Sequence, residues 1–231
     1  MIEYLSIVRV EDLAYSIRRN ALKLFFAAVI ILFALASPFS TTFSSARQST
    51  TYELDPKMGK FIAHAFSGGL FWFKGHDHYL VARDFSGEVQ ITSGTITPAS
   101  LRLVVNAGSL EETGSVFTDA QKKIINKEVH DIVLLPDKYP EIVFQSTSVT
   151  SKPAGAGQYD VRIVGNLTLL GVTRQETIPV KVSLTNNDLQ AVGQFSIDRG
   201  DYKVKATSAF HGLVRVQDKV RFEFDIVGHR K

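Results

Sequence analysis

From Asp84 to the C-terminus the chain alternates apolar and polar residues, segment after segment. Phe85, Gly87, Val89 and Ile91 interleave with Asp84, Ser86, Glu88 and Gln90, and Val220, Phe222, Phe224 and Ile226 interleave with Arg221, Glu223 and Asp225. A period of two describes strands with one dry face and one wet face. The pattern recurs at Leu101–Val105, Tyr159–Leu169, Ile178–Leu184 and Leu189–Ile197. So many one-sided strands, with little helix to cover them, fold onto themselves as a sandwich or close into a barrel. Either solution makes an apolar interior.

Ahead of the strands lies an export signal. Residues 24–36 (LFFAAVIILFALA) run for thirteen positions without a polar side chain. That is too short to span a bilayer and has the length of a signal-peptide apolar region. Cleavage after Ala36 or after Ala46 fits the small residues that follow; Ala46 is preferred, because Arg47–Thr51 then form a polar lead into the first strand. Residues 1–46 are therefore assigned to export, and 47–231 to one domain large enough for a real core. Arg18-Arg19 approximates a twin-arginine signal. An ordinary secretory signal and an uncleaved anchor are the alternatives, and all three predict a periplasmic or secreted domain.

Composition excludes several functions. The leader holds Arg9, Arg18, Arg19 and Lys23 against Glu3, Glu11 and Asp12, which leaves 22 of the 26 basic and 20 of the 23 acidic side chains in the domain. That balance makes no electrostatic case for nucleic acid. Zero cysteines removes disulfides, thiolate metal sites and a cysteine nucleophile. There is no nucleophile elbow, phosphate loop or supported carboxylate pair, so the chain reads as a non-enzyme that needs no cofactor.

One helix is expected among the strands. Thr118 and Gln121 have capping-box spacing, and Ile124, Ile125, Val129, Ile132 and Val133 recur at helical spacing before Pro136. This helix either plugs a barrel mouth or packs over an open seam. Ser151–Gly157 reads as a flexible hairpin loop, and Asn186–Asp188 as a tight turn.

Tyr52–Pro56, Asp84–Val89, Asn106–Leu110, Tyr139–Ser146 and Gly165–Arg174, in this order with the helix between the third and fourth, resemble the YceI-like family over about residues 52–228. These are exported, lipocalin-like, polyisoprenoid-binding proteins. The resemblance implies an eight-stranded antiparallel barrel with one inserted α-helix and an internal channel for an isoprenoid or fatty-acyl-type amphipathic ligand, held for carriage or storage. Two departures stand out: Gly75-His76-Asp77-His78 where many members have a lone histidine, and Lys203 where the family usually has glycine.

Within that channel the expected ligand-binding residues are Phe66, Phe73, Phe144, Phe195, Phe222, His76 and His78. Phe71-Trp72-Phe73 is continuous rather than alternating, so at least one ring faces outward or towards a mouth, where a transient membrane contact is expected. Homodimerisation is also compatible with the sequence. At i and i+2 on a strand, His76 and His78 share a face. They read as imidazoles bonded in the wall, as contacts to a ligand head group, or as a two-histidine metal pair needing a third ligand such as His64 or His211. No metal is assigned; a metal-dependent enzyme or redox accessory built on His76 and His78 is the alternative function.

Overall fold

A computed structural model describes residues 49–69, 75–92, 96–97, 99–185, 187–205, 208–209 and 214–231. The expected export segment, the ring-rich run Phe71-Trp72-Phe73 and His211 lie outside the described residues.

Eight strands form the ring: β1 (Ser49–Gly68), β3 (Phe85–Thr92), β4 (Ala99–Asn106), β6 (Glu141–Gly155), β7 (Gln158–Leu169), β8 (Val172–Leu184), β9 (Asp188–Asp198) and β11 (Val214–Arg230). They pair antiparallel in the order β1-β3-β4-β6-β7-β8-β9-β11, and β11 returns to β1 from Tyr52↔Arg230 to Gly68↔Arg215. Closure removes the exposed sheet edges that a set of one-sided strands otherwise leaves. This is the expected eight-stranded antiparallel barrel. Two short strands, β2 (His78–Ala82) and β5 (Leu110–Glu112), continue the wall beyond β3, with β2 pairing the far half of β1. A two-residue strand, β10 (Ser208–Ala209), adds to β11.

The alternation seen in the sequence is the inside and outside of this wall. Val161 and Ile163 are buried while Arg162 between them is exposed, and Ile178, Val180 and Val182 are buried between exposed neighbours. Each such aliphatic side chain contributes roughly 1.5–3 kcal/mol when removed from water. The segment Asp55–Lys60 holds a bulge in β1, where the register with β11 slips. Asp55 Oδ1 accepts from Lys57 N–H at 2.7 Å, and Gly59 passes over the buried Phe85 so closely that a Cβ would lie 2.6 Å from its ring.

Helix α1 (Asp119–Glu128) starts as expected: Thr118 accepts from Gln121 N–H and the Gln121 side chain bonds back to Thr118 N–H. It then widens into a π-helical turn, Val129–Leu134. The widening turns Ile132 out of the expected apolar stripe. Ile125, Val129 and Val133 face the barrel, while Ile124 and Ile132 are exposed at 62% and 44%. Of the two placements for the helix, the barrel end is the one observed.

Ser151–Gly155 is not loop. It extends β6, with Pro153 opposite Tyr159, and only Ala156-Gly157 turn the chain. Alternation had faded there because the strand projects beyond the packed interior and both of its faces meet water.

Between β8 and β9 the ladder covers only part of the strands. β7 and β8 pair along their whole length, from Leu169↔Val172 to Gln158↔Ser183, but β8 and β9 pair only between Val180–Leu184 and Leu189–Gly193. Pro179, which has no N–H to donate, stands where that pairing stops. Beside the unpaired interval a 3-10 turn, Arg199–Tyr202, delivers the fully buried Tyr202, whose hydroxyl donates to Glu176 Oε1 at 2.7 Å. Burial, then this bond, push the Tyr202 hydroxyl well above the usual tyrosine range. Lys203 follows with φ of 58°, a left-handed conformation that glycine adopts at less cost than lysine.

Candidate functional site

The barrel encloses two apolar cavities. The one away from the helix has a volume of about 100 Å³ and is lined by aliphatic and phenylalanine side chains, among them Phe144, Phe195 and Phe224, with Ser100 as the single polar residue. The one under α1 has about 150 Å³, and its lining includes Ala63, Leu80, Ile125, Val133 and Phe222. Each exceeds by roughly tenfold what one water requires, and apolar cavities of this order stay dry and admit small apolar molecules. Ile142 lines both.

Between the cavities stands a cluster of rings. Phe61 lies 5.9 Å from Phe222 and 6.2 Å from Phe224, and Phe195 stacks on Phe222 at 5.0 Å. These contacts cross β1, β9 and β11, the tightly paired side of the wall. Phe224 of this cluster and one further ring, Phe144, sit where the neighbouring strand carries glycine. A Cβ on Gly165 would lie 2.4 Å from Phe144, and one on Gly193 would lie 2.6 Å from Phe224. The glycines thus make room inside the barrel for the aromatic rings that shape the cavity.

The helix-end cavity differs in carrying polar side chains: His78, Glu128, Arg199 and Lys205 line it. Arg199 is already engaged, donating to the carbonyls of Gln217 and Val204 at 3.1 and 3.0 Å. His78 rests on Glu112. Its Nδ1 lies 2.8 Å from Glu112 Oε2, and Glu112 Oε1 accepts the N–H groups of Tyr79 at 3.2 Å and Gly114 at 2.6 Å. The Glu112 carboxylate has no exposed surface. Burial pushes its titration up, but the bonds from His78, Gly114 and Tyr79 outweigh that and hold it below the ordinary glutamate value. The backbone N–H of Glu112 donates to Asn126 on α1 at 2.7 Å, and His130 Nε2 meets the Leu110 carbonyl at 3.1 Å. His130 therefore ties the helical segment to β5.

Of the expected ligand-binding residues, Phe144, Phe195, Phe222 and His78 line the cavities. Phe66 does not. It lies on the strand phase opposite Ala63 and Ala65, and packs outside the wall against His64 (3.9 Å) and under the Arg221 guanidinium (5.1 Å). Its neighbourhood in a ring-rich stretch hid the phase that decides inside from outside. His76 is exposed and meets Phe117 edge-on at 5.7 Å, while His78 stacks on the same ring at 5.2 Å. The two histidines do share a face, as their spacing implied, but they share it with an aromatic ring. Phe73 lies outside the described residues.

His64, weighed as a third metal ligand, is buried in the wall, stacked on Tyr79 at 4.2 Å and 3.2 Å from Asp77 Oδ2. Asp77 also accepts Ser67 N–H at 2.8 Å. Burial raises its titration, but these bonds hold the Asp77 carboxyl below its ordinary value overall. Among the described residues no three histidine, aspartate or glutamate side chains gather as a metal site.

Sequence reasoning missed Glu112. In Leu110-Glu111-Glu112 one carboxylate points out and the other in, and nothing in the residue types separates them. The one available signal was phase: Glu112 shares the phase of the buried Leu110.

A family model described as the YceI-like domain matches residues 52–228. The chain belongs to the YceI-like family. Two solved structures share the barrel. A crystal structure of Burkholderia cenocepacia BcnA aligns with a TM-score of 0.58 at 21% identity, covering 75% of this chain and 98% of its own. A polyisoprenoid-binding domain from Saccharophagus degradans, implicated in plant cell wall breakdown, aligns at 0.54 and 14%, covering 78% and 98%. No match to a curated protein was found. Within the YceI-like domain the quoted segments now have structural places. Asp55-Pro56 opens the β1 bulge, and Leu170-Gly171 form the two-residue turn between β7 and β8, with φ of 51° and 73°.

Proposed function

We propose that this YceI-like barrel binds the apolar tail of a polyisoprenoid or similar amphipathic molecule, without transforming it, and carries or stores it outside the cytoplasm. One observation carries the reading: two cavities in series, lined almost wholly by aliphatic and aromatic side chains and meeting at the Phe61, Phe195, Phe222 and Phe224 rings. A folded core that served stability alone would close such space, since each void forfeits dispersion contacts. The structure of the Saccharophagus domain, described as polyisoprenoid-binding, supports the choice of ligand class. Export rests on the thirteen-residue apolar run and the small residues after it. Burial of about ten methylene equivalents of tail supplies roughly 8 kcal/mol before the cost of association, enough for micromolar retention.

Native mass spectrometry of the purified protein, followed by organic extraction, tests this. The expected result is a copurified chain-like lipid. A barrel that copurifies with no lipid and takes up no prenyl chain on titration overturns the reading. N-terminal sequencing of the protein from its own cell envelope tests the export step, with Arg47 as the expected first residue.

A further inference from the structure

The polar residues under the helix say what kind of head the bound molecule carries. An ionised carboxylate only accepts hydrogen bonds, and Glu112, fully buried, accepts three: from Tyr79 N–H, Gly114 N–H and His78 Nδ1. The proton on His78 is therefore fixed on Nδ1. Its Nε2 has no hydrogen-bond partner among the described residues, and its ring lines the helix-end cavity about a quarter exposed. Phe117, stacked parallel at 5.2 Å, stops the ring from turning over. A buried carboxylate is costly to keep unless something needs its orientation. Here the outcome is an imidazole acceptor held in fixed orientation at the helix end of the channel, where the cavity wall turns from apolar to polar.

We propose that His78, oriented by Glu112, accepts a hydrogen bond from a hydroxyl head, so that the ligand is a long-chain alcohol or phenol bound tail-first with its oxygen under α1. This rests on the tail-binding reading above and adds the head group to it. The other charges at the cavity do not compete: Arg199 is engaged by two backbone carbonyls, and Glu128 and Lys205 are exposed and of opposite sign. An acceptor discriminates by chemistry. An alcohol donates to it, an aldehyde of the same chain cannot, and a hydrocarbon leaves it unpaired.

The experiment titrates the full chain with four probes of one chain length: geranylgeraniol, geranylgeranial, the corresponding hydrocarbon and geranylgeranyl phosphate. The alcohol is expected to bind about tenfold tighter than the aldehyde and tighter than the phosphate. In His78→Leu the alcohol and the aldehyde bind alike, with hydrocarbon affinity unchanged. Glu112→Gln is a second reporter, because its amide can donate to Nδ1 and move the ring proton to Nε2. The preference then shifts towards the aldehyde. A melting curve establishes that each variant is folded, and wild type with His78→Leu decides the matter if Glu112→Gln is not. Equal affinity of wild type for alcohol and aldehyde overturns the head-group assignment while leaving tail binding intact. So does tighter binding of the phosphate, which would assign the head to Arg199 and Lys205. Failure to bind any probe, the hydrocarbon included, overturns the tail reading itself.

Discussion

The two ends of the barrel interior solve opposite problems. Away from the helix, Phe144 and Phe224 press onto Gly165 and Gly193, so that end is shaped by steric fit and carries no charge. Under the helix, Glu112 is as buried as any of those rings, and the segments around it are held by bonds to its carboxylate and to its backbone N–H. A charge is excluded at one end and built into the other. What separates them is the supply of donors: β2 and the turn after β5 converge on the Glu112 carboxylate with N–H groups, whereas the far walls offer only side-chain carbon.

Placing a charge at the apolar boundary gives the largest effect. Phe222→Asp loses the ring stacked on Phe195 and Phe61 and leaves a carboxylate without donors, a cost of about 4 kcal/mol or more. Glu223→Gln, one residue on and exposed, should leave the melting temperature unchanged. Equal effects from the two would erase the distinction between inside and outside on β11.

Removing the charge from the other end is nearly as severe. Glu112→Ala strands three donors and is expected to cost about 3 kcal/mol by denaturant titration, with the helix docking loosened. The same residue sets a pH dependence. Its folded-state titration lies below that of the unfolded chain, so its contribution is present above the unfolded value, about pH 4.3, and is lost as pH falls through the folded one. Melting wild type and Glu112→Gln from pH 7 to pH 3 should show a steeper acid decline in wild type. Asp77 is also held low and declines in both proteins, so the difference between the curves belongs to Glu112.

Smaller effects come from the turn after β9. Tyr202→Phe removes one buried hydroxyl bond and should cost about 1 kcal/mol. Lys203→Gly relieves a left-handed lysine and should be neutral to stabilising by under about 1 kcal/mol, because the added freedom of the unfolded chain offsets part of the strain. A destabilised glycine variant would mean that the lysine side chain contributes to that end of the barrel.

The wall was legible in the sequence because alternation is imposed residue by residue wherever a strand has one dry face. Val161, Ile163, Phe195 and Phe222 could be placed inside on phase alone. Phase failed where strict alternation breaks: Phe66 follows Ala65 and was read as facing in, Ile124 stands at the edge of the helical stripe, and Ile132 joined a stripe from which the π-turn rotates it to the surface. The polar end of the site was hidden for a different reason. The contact from His78 to Glu112 spans 34 positions and depends on β2 pairing with β5. Pairing of that range leaves no mark on composition or local period.

The interval between β8 and β9 below Pro179 gives the ring a weak line. Where a ladder runs, separating two strands means breaking a row of backbone bonds together; below Pro179 that row is missing, and the Tyr202 hydroxyl to Glu176 and the Arg174 side chain to the Asp201 carbonyl span the gap. The barrel is thus continuous in strand order but discontinuous in cohesion, like a sleeve stitched down most of its length and fastened at the cuff by two buttons. In amide hydrogen exchange, residues 173–178, laddered on one side only, should lose protection before the residues of β11 that pair with both β1 and β9, and Tyr202→Phe should advance that loss while leaving β1 and β11 untouched.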